Sequence, residues 1–154
     1  MVIADLLGPG AVLGAVHASG KPALLKLLAE RAADSLGLDA AAIAAALDAR
    51  EQLGSTGVGQ GIAMPHARIA GLTKPFGLLA RLERPIDFAA IDEKPVDLVF
   101  LLLTPPAETG VHLGALACAS RRLREKNVAR RLRGARDGAE LYAVLTDEDP
   151  RPPQ

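Results

Sequence analysis

The sequence contains no tryptophan, a single cysteine and only 3% aromatic residues. Its core must therefore come from Ala, Leu, Val and Ile, which dominate the 49% hydrophobic content of its 154 residues. The lone Cys118 excludes an internal disulfide and fits a reducing compartment. Excess charge is missing too: 18 Lys and Arg balance 18 Asp and Glu. No net field draws such a chain to nucleic acid or to a membrane surface. No apolar run approaches the about 18 residues needed to span a bilayer, and no basic region with a long apolar stretch follows Met1 as in a signal peptide. The expectation is a soluble, cytoplasmic chain forming one domain, without membrane insertion.

What the chain does have is a glycine stretch, Gly54 to Arg68, reading GSTGVGQGIAMPHAR. If 57–64 is extended, Gly57, Gly59, Gly61 and Ala63 share one face. A face so bared admits another backbone, a ligand or a docking partner. Known glycine chemistries do not fit. A phosphate-binding loop needs GxxxxGK[ST], and no Lys follows these glycines. A dinucleotide fingerprint needs G-x-G-x-x-G opening a helix, whereas these glycines alternate in an extended context. The nucleophile elbow G-x-S-x-G is absent. The histidines stand far apart at 17, 66 and 112, and Cys118 lies mid-helix, so neither a metal site nor a cofactor is expected.

Taken in order, residues 1–10 read as a surface lead-in or one helical turn, punctuated by Gly8, Pro9 and Gly10. A strand over 11–17 ends at His17, read as a polar strand-end residue. Ser19 is placed to cap a helix over 21–36, whose Leu24, Leu25, Leu28, Ala32 and Leu36 recur at helical spacing. Gly37 stops it. Asp39 caps an alanine-rich helix over 40–52, which ends on Arg50 and Glu51. After the glycine stretch, 76–82 reads as a strand and Glu83-Arg84-Pro85 as its turn. Ile86, Phe88 and Ile91 fit a short edge strand or loop. The apolar run 96–103 marks a strand buried on both faces, ended by Thr104-Pro105-Pro106. A helix over 110–126 is expected to bury Leu113, Leu116, Ala117, Ser120 and Leu123. A short helix near 128–134 and a last one capped by Asp137 complete the domain at 11–147, before a flexible tail at 148–154. Helices before, between and after a few strands predict an α/β sandwich.

Three features carry candidate chemistry. Pro65 stiffens the backbone at His66, which sits at or just after a strand end, where reactive groups of α/β sheets tend to lie. A neutral imidazole is a competent nucleophile whose second nitrogen fixes the tautomer. The residues alone leave His66 open between a site and a structural turn. His112 falls in the first turn of the helix after the buried strand, where helix amides receive anions. It is either a partner of His66 around a transferring phosphoryl group or a helix-cap residue bonded to Thr109 or Glu108. The basic run from Arg121 to Arg136 reads as a solvated face, with docking of an acidic partner as the alternative; it lacks the aromatic interleaving of a nucleic-acid reader.

The string AREQLGSTGVGQGIAMPHAR, continued by FAAIDEKPVDLVFLLLTP, the His112-Leu113 helix and RRLRGARDGAELYAVLTD, resembles the type-2 enzyme IIA domains of the bacterial phosphoenolpyruvate-dependent phosphotransferase system, in particular the nitrogen-type IIA branch. The resemblance spans roughly 10–147. It implies a small mixed β-sheet between helices. It implies that His66 accepts a phosphoryl group, as a tele-phosphohistidine, from a histidine phosphocarrier protein. It further implies that His112 hydrogen-bonds that group, that Arg50 stands beside it, and that Ser55 and Thr56 lie near. Such a protein is a phosphohistidine carrier more than a stand-alone turnover enzyme. In the nitrogen-type branch it regulates nitrogen metabolism, potassium transport and kinase partners through its phosphorylation state. Sugar-specific members instead pass phosphate to a IIB domain, and a purely regulatory binding module is a third reading. The segment Glu108-Thr109-Gly110-Val111 departs from some members, which have a further histidine or lysine there. Oligomeric state is not written in these residues.

Overall fold

A computed structural model describes residues 1–106 and 109–147. Six strands form one mixed sheet: β1 (Leu7–Val16), β2 (Gly57–Gly59), β3 (Ile62–Ala63), β4 (His66–Arg68), β5 (Phe76–Ile86) and β6 (Val96–Thr104). Five helices accompany them: α1 (Lys21–Leu36), α2 (Ala40–Gln52), α3 (Thr109–Leu123), α4 (Val128–Gly134) and α5 (Gly138–Thr146). The strand order is β1-β5-β6-β3-β2, with β4 also paired to β6. β6 runs antiparallel to β5 and parallel to β3 and β4.

The sheet is covered on both faces because β6 is apolar on both. Val99, Leu101 and Leu103 pack with α1 and α2, through Leu24, Leu28, Ile43 and Leu47. Leu98, Phe100 and Leu102 pack with α3, α4 and α5, through Ala115, Ala119, Leu132 and Leu141. All six β6 side chains are fully buried. A continuous apolar run is what a strand sandwiched between two helical layers requires. The α/β expectation thus holds, with the sheet as the middle layer.

Several boundaries differ from the sequence reading, each for a physical reason. The first ten residues hold the one helical turn expected, a 3-10 turn over Ile3–Asp5, but they are not confined to the surface. Ile3, Leu6 and Leu7 are buried, and β1 begins at Leu7. β1 is an edge strand with a register shift between Leu7 and Val12, which accommodates Pro9. Glu83-Arg84-Pro85 is not a turn. β5 continues through it, exposed, at a register irregularity between Arg81 and Ile86 that spares the missing proline donor. Gly20, not Ser19, is the N-cap of α1. Gly37 and Asp39 act as expected: Gly37 is left-handed and donates to the Ala33 carbonyl at 2.8 Å, and Asp39 accepts from the Ala41 amide. The tail at 148–154 lies outside the described residues.

The helix expected over 110–126 stops at Leu123, and its buried face is rotated. His112, Ala115, Cys118, Ala119, Arg122 and Leu123 point inward, while Leu113 is 59% exposed and Ala117 is exposed. Three of the inward residues, Ala115, Cys118 and Ala119, are small, so helical spacing of apolar residues does not single out this face. Arg122 is the other reason. Buried, it donates to the Leu145, Val144 and Asp147 carbonyls at the end of α5, satisfying acceptors that the helix leaves open.

Candidate functional site

The glycine stretch is not one strand. It is a hairpin, β2–β3, turning at Gln60 and Gly61, which both have positive φ (58° and 79°). Such a two-residue turn matches the twist of its strands. The three glycines therefore do not bare a surface beside His66; all three are buried. A Cβ on Gly57 would lie 2.8 Å from Ala90 Cα. One on Gly61 would lie 2.5 Å from the Arg133 guanidinium, which clamps the turn by pairing with Asp97 and donating to the Gln60 carbonyl at 2.7 Å. Tight packing against the neighbouring chain explains them.

Beyond the hairpin the chain resumes alongside β6. Ile62 and Ala63 pair with Leu98 and Val99; His66, Ala67 and Arg68 pair with Leu102, Leu103 and Thr104. Met64 and Pro65 interrupt this line. Pro65 contributes only its carbonyl, accepting from the Leu102 amide at 3.0 Å. Met64 donates to the Thr56 carbonyl at 2.9 Å. His66 thus leads β4 from a backbone anchored on both sides.

Both nitrogens of the half-buried His66 ring are engaged. Nδ1 lies 2.8 Å from the Met64 carbonyl. Arg50, in the last turn of α2, reaches Nε2 with its Nε at 3.2 Å and donates its Nη1 to the Gly54 carbonyl. A guanidinium only donates, so Nε2 is the acceptor and the ring proton sits on Nδ1, facing Met64. His112, in the first turn of α3, stands beside His66 with ring centroids 5.7 Å apart. Its Nδ1 meets Thr104 Oγ1 at 2.5 Å. The alternative cap role through Thr109 is not what holds His112; Thr104, at the end of β6, does. Glu108 lies outside the described residues.

Both imidazoles are kept neutral. Burial lowers the His66 pKa below the ordinary histidine value, and Arg50 adds to that, against the Met64 carbonyl bond and Glu51, which raise it. Burial also lowers that of His112, with Arg68 and His66 adding to it. A neutral ring with an unprotonated Nε2 is the nucleophilic form. Arg50, Arg68 and the first turn of α3 supply positive potential around it. The arrangement suits an anionic group arriving at His66 Nε2.

The structure thus brings together His66, His112 and Arg50. Ser55 serves the loop, donating to the Phe88 carbonyl at 2.8 Å and accepting from the Gly57 amide. Thr56 Oγ1 is buried without a partner among the described residues. His17 is exposed just after β1. The basic run is only partly a solvated face: Arg122 is buried, and Arg133 and Arg136 are paired with Asp97 and Glu140. Sequence reasoning missed Thr104, Arg68 and Glu51. Arg68 was within reach of it, since strand residues two apart share a face and Arg68 follows His66 by two. Thr104 was visible only as the end of a strand.

Among the described residues, no group of three or more His, Cys, Asp or Glu is placed to hold a metal ion. Likewise no helix there is long and apolar enough to cross a membrane.

The site thus lies on a mixed sheet between two helical layers, with paired histidines at the start of a strand and of a helix. Residues 6–148 match the family described as phosphoenolpyruvate-dependent sugar phosphotransferase system, EIIA 2, and the chain belongs to that family. A nitrogen regulatory protein of Bradyrhizobium diazoefficiens is 47% identical over 145 residues, 94% of this chain and 95% of that one. One from Escherichia coli strain K12 is 39% identical over 138 residues, 89% of this chain and 85% of that one. The crystal structure of nitrogen regulatory protein IIA-Ntr from Neisseria meningitidis superposes with a TM-score of 0.87 at 34% identity, covering 94% of this chain and 99% of that one. The IIA mannitol structure from Escherichia coli shares the fold, with a TM-score of 0.75 at 18% identity, over 90% of this chain and 97% of that one.

Proposed function

We propose that this protein is a phosphoryl carrier and regulator of a phosphoenolpyruvate-dependent phosphotransferase system, with His66 as the acceptor. The observation that carries this reading is the state of the His66 ring: its Nδ1–H is committed to Met64, and its Nε2 lone pair faces Arg50 with His112 alongside. The donor is the phosphohistidine of a histidine phosphocarrier protein. His66 Nε2 forms the new N–P bond as the donor's N–P bond breaks. The donor ring leaves with that electron pair as a neutral imidazole, its other nitrogen already protonated. The acceptor ring becomes a phosphoimidazolium, its proton staying on Nδ1 and donated to the Met64 carbonyl, so no proton need cross the site.

Arg50 leaves Nε2 for the phosphoryl oxygens, and His112 donates to them from Nε2, held in that tautomer by Thr104 donating to its Nδ1. Transfer is then a matter of positioning and charge stabilisation. The similarity to nitrogen regulatory proteins over nearly the whole chain supports the regulatory branch. There the phosphorylation state of His66 governs partners in nitrogen metabolism and potassium homeostasis, such as potassium transporters or sensor kinases.

The test is labelling with radioactive phosphoenolpyruvate, the system's first enzyme and the phosphocarrier. Wild type takes up acid-labile, alkali-stable label and His66→Ala takes up none. Label retained in His66→Ala rejects the assignment.

A further inference from the structure

The residue after Arg50 carries a charged side chain that is buried. The Glu51 side chain is 4% exposed, and its Oε1 lies 2.9 Å from Lys21 Nζ at the first residue of α1. A carboxylate withdrawn from water at a helix end needs more than one partner. Glu51 has them: both oxygens accept from the Thr56 amide, at 3.0 and 3.2 Å. Lys21 is itself fixed, 4.4 Å above the Phe88 ring and 3.3 Å from the Phe88 carbonyl, the same carbonyl that Ser55 binds.

Followed outward, these bonds form a continuous line to the imidazole. The Thr56 amide donates to Glu51, and the Thr56 carbonyl accepts from Met64. The Met64 carbonyl in turn faces Nδ1 of His66. Glu51 therefore holds one side of the ring through the backbone of two residues, Thr56 and Met64, while its neighbour Arg50 reaches the other directly. Consecutive residues of one helix end thus hold both sides of the ring. The same pair closes the loop leaving α2, Arg50 onto the Gly54 carbonyl and Glu51 onto the Thr56 amide. Each bond fixes the backbone that presents the next acceptor, so the carboxylate at the head of the line holds the Met64 carbonyl in place against Nδ1.

We infer that Glu51, charge-balanced by Lys21, is a positioning residue that sets the tautomer and orientation of His66 through Thr56 and Met64. The inference deepens the reading of His66 as phosphoryl acceptor and rests on it for its consequence, but the state of the ring is readable without any transfer. Lys21 is part of the device: it lets an ionised carboxylate remain in a buried position, and it joins the start of α1 to the end of α2.

The experiment is nitrogen-15 NMR of the His66 ring in the unphosphorylated protein, for wild type, Glu51→Gln and Lys21→Met/Glu51→Gln. The double variant removes both charges and leaves no unpaired buried ion, so it keeps the test alive if the single variant does not fold. The charged groups around the ring are Arg50 and Glu51 from α2, His112 from α3 and Arg68 on its own strand, which acts on His112. In wild type the Nδ1–H form dominates. In both variants Nε2–H is expected to gain population, with an unchanged backbone spectrum outside 50–66. The His66 titration midpoint moves down in Glu51→Gln, because Glu51 raises it in the wild type. Labelling by the phosphocarrier slows by about 10–100-fold, the range for loss of a partner that orients a functional histidine. A folded variant with wild-type ring shifts and midpoint overturns the inference, whatever its transfer rate. Wild-type ring behaviour together with absent labelling in all proteins would instead count against the acceptor reading.

Discussion

Arg50 and His66 meet nitrogen to nitrogen, with the guanidinium Nε 3.2 Å from Nε2 of the imidazole. The contact does two things. It marks Nε2 as the unprotonated nitrogen, and it places a fixed positive charge where a phosphoryl group would bind. Burial lowers the His66 pKa and the guanidinium adds to it, so the ring stays neutral beside a fixed cation.

Replacing Arg50 by Ala therefore has opposite effects on the free ring and on the reaction. The His66 titration midpoint rises, because a nearby positive charge is gone. The rate of phosphorylation falls by about 100–1,000-fold, the range for loss of one preorganised donor to developing negative charge. Proton NMR titration and rapid-quench labelling measure the two. A faster reaction after the substitution contradicts the role given to Arg50.

His112 and Thr104 should behave as a unit. His112→Ala slows phosphorylation without unfolding the protein. Thr104→Val preserves shape but removes the hydroxyl at His112 Nδ1, so it gives a smaller loss in the same direction. The double variant is no slower than His112→Ala alone, since Thr104 acts through His112. Single-turnover rates of the three variants settle this; additive losses would separate the two residues.

The pH dependence of stability follows from two depressed histidine pKa values. Between the folded value and the unfolded value near 6.5, the unfolded chain binds more protons. The stability these two rings contribute is thus fully present above about pH 6.5 and is lost as pH falls through the folded values. Melting temperature should decline from pH 6.5 towards 5, less steeply in His66→Gln/His112→Gln. Equal slopes in wild type and variant contradict the assignment.

Two leucines test the core. Leu101 is fully buried in β6, whereas Leu113 is 59% exposed on α3. Leu101→Ala should cost about 2–5 kcal/mol, and Leu113→Ala should stay within about 0.5 kcal/mol. Urea denaturation reads both. A large loss at Leu113 would restore the helix face expected from the sequence.

The contrast between those leucines shows what was legible in the sequence. The β6 run reads directly, because a strand buried on both faces needs apolar residues at every position. The α3 stripe does not, because Ala115, Cys118 and Ala119 pack by being small and Arg122 is buried through carbonyls at the end of another helix. The glycines at 57, 59 and 61 misled for a related reason. Alternation suggests an extended face, but a positive φ at Gln60 belongs to the turn and leaves little mark on composition. His66 and His112 were identifiable by type and by family resemblance. Glu51 and Thr104 were not, since their partners are peptide groups and a distant ring that only the fold brings near.

The central claim is that the phosphoryl group sits on Nε2 of His66. Nitrogen-15 and phosphorus-31 NMR of the protein phosphorylated through the phosphocarrier tests it most directly. The account predicts one-bond phosphorus coupling to Nε2 of His66, with Nδ1 still protonated and bonded to the Met64 carbonyl. Coupling to Nδ1 of His66, or to any nitrogen of His112, would contradict it.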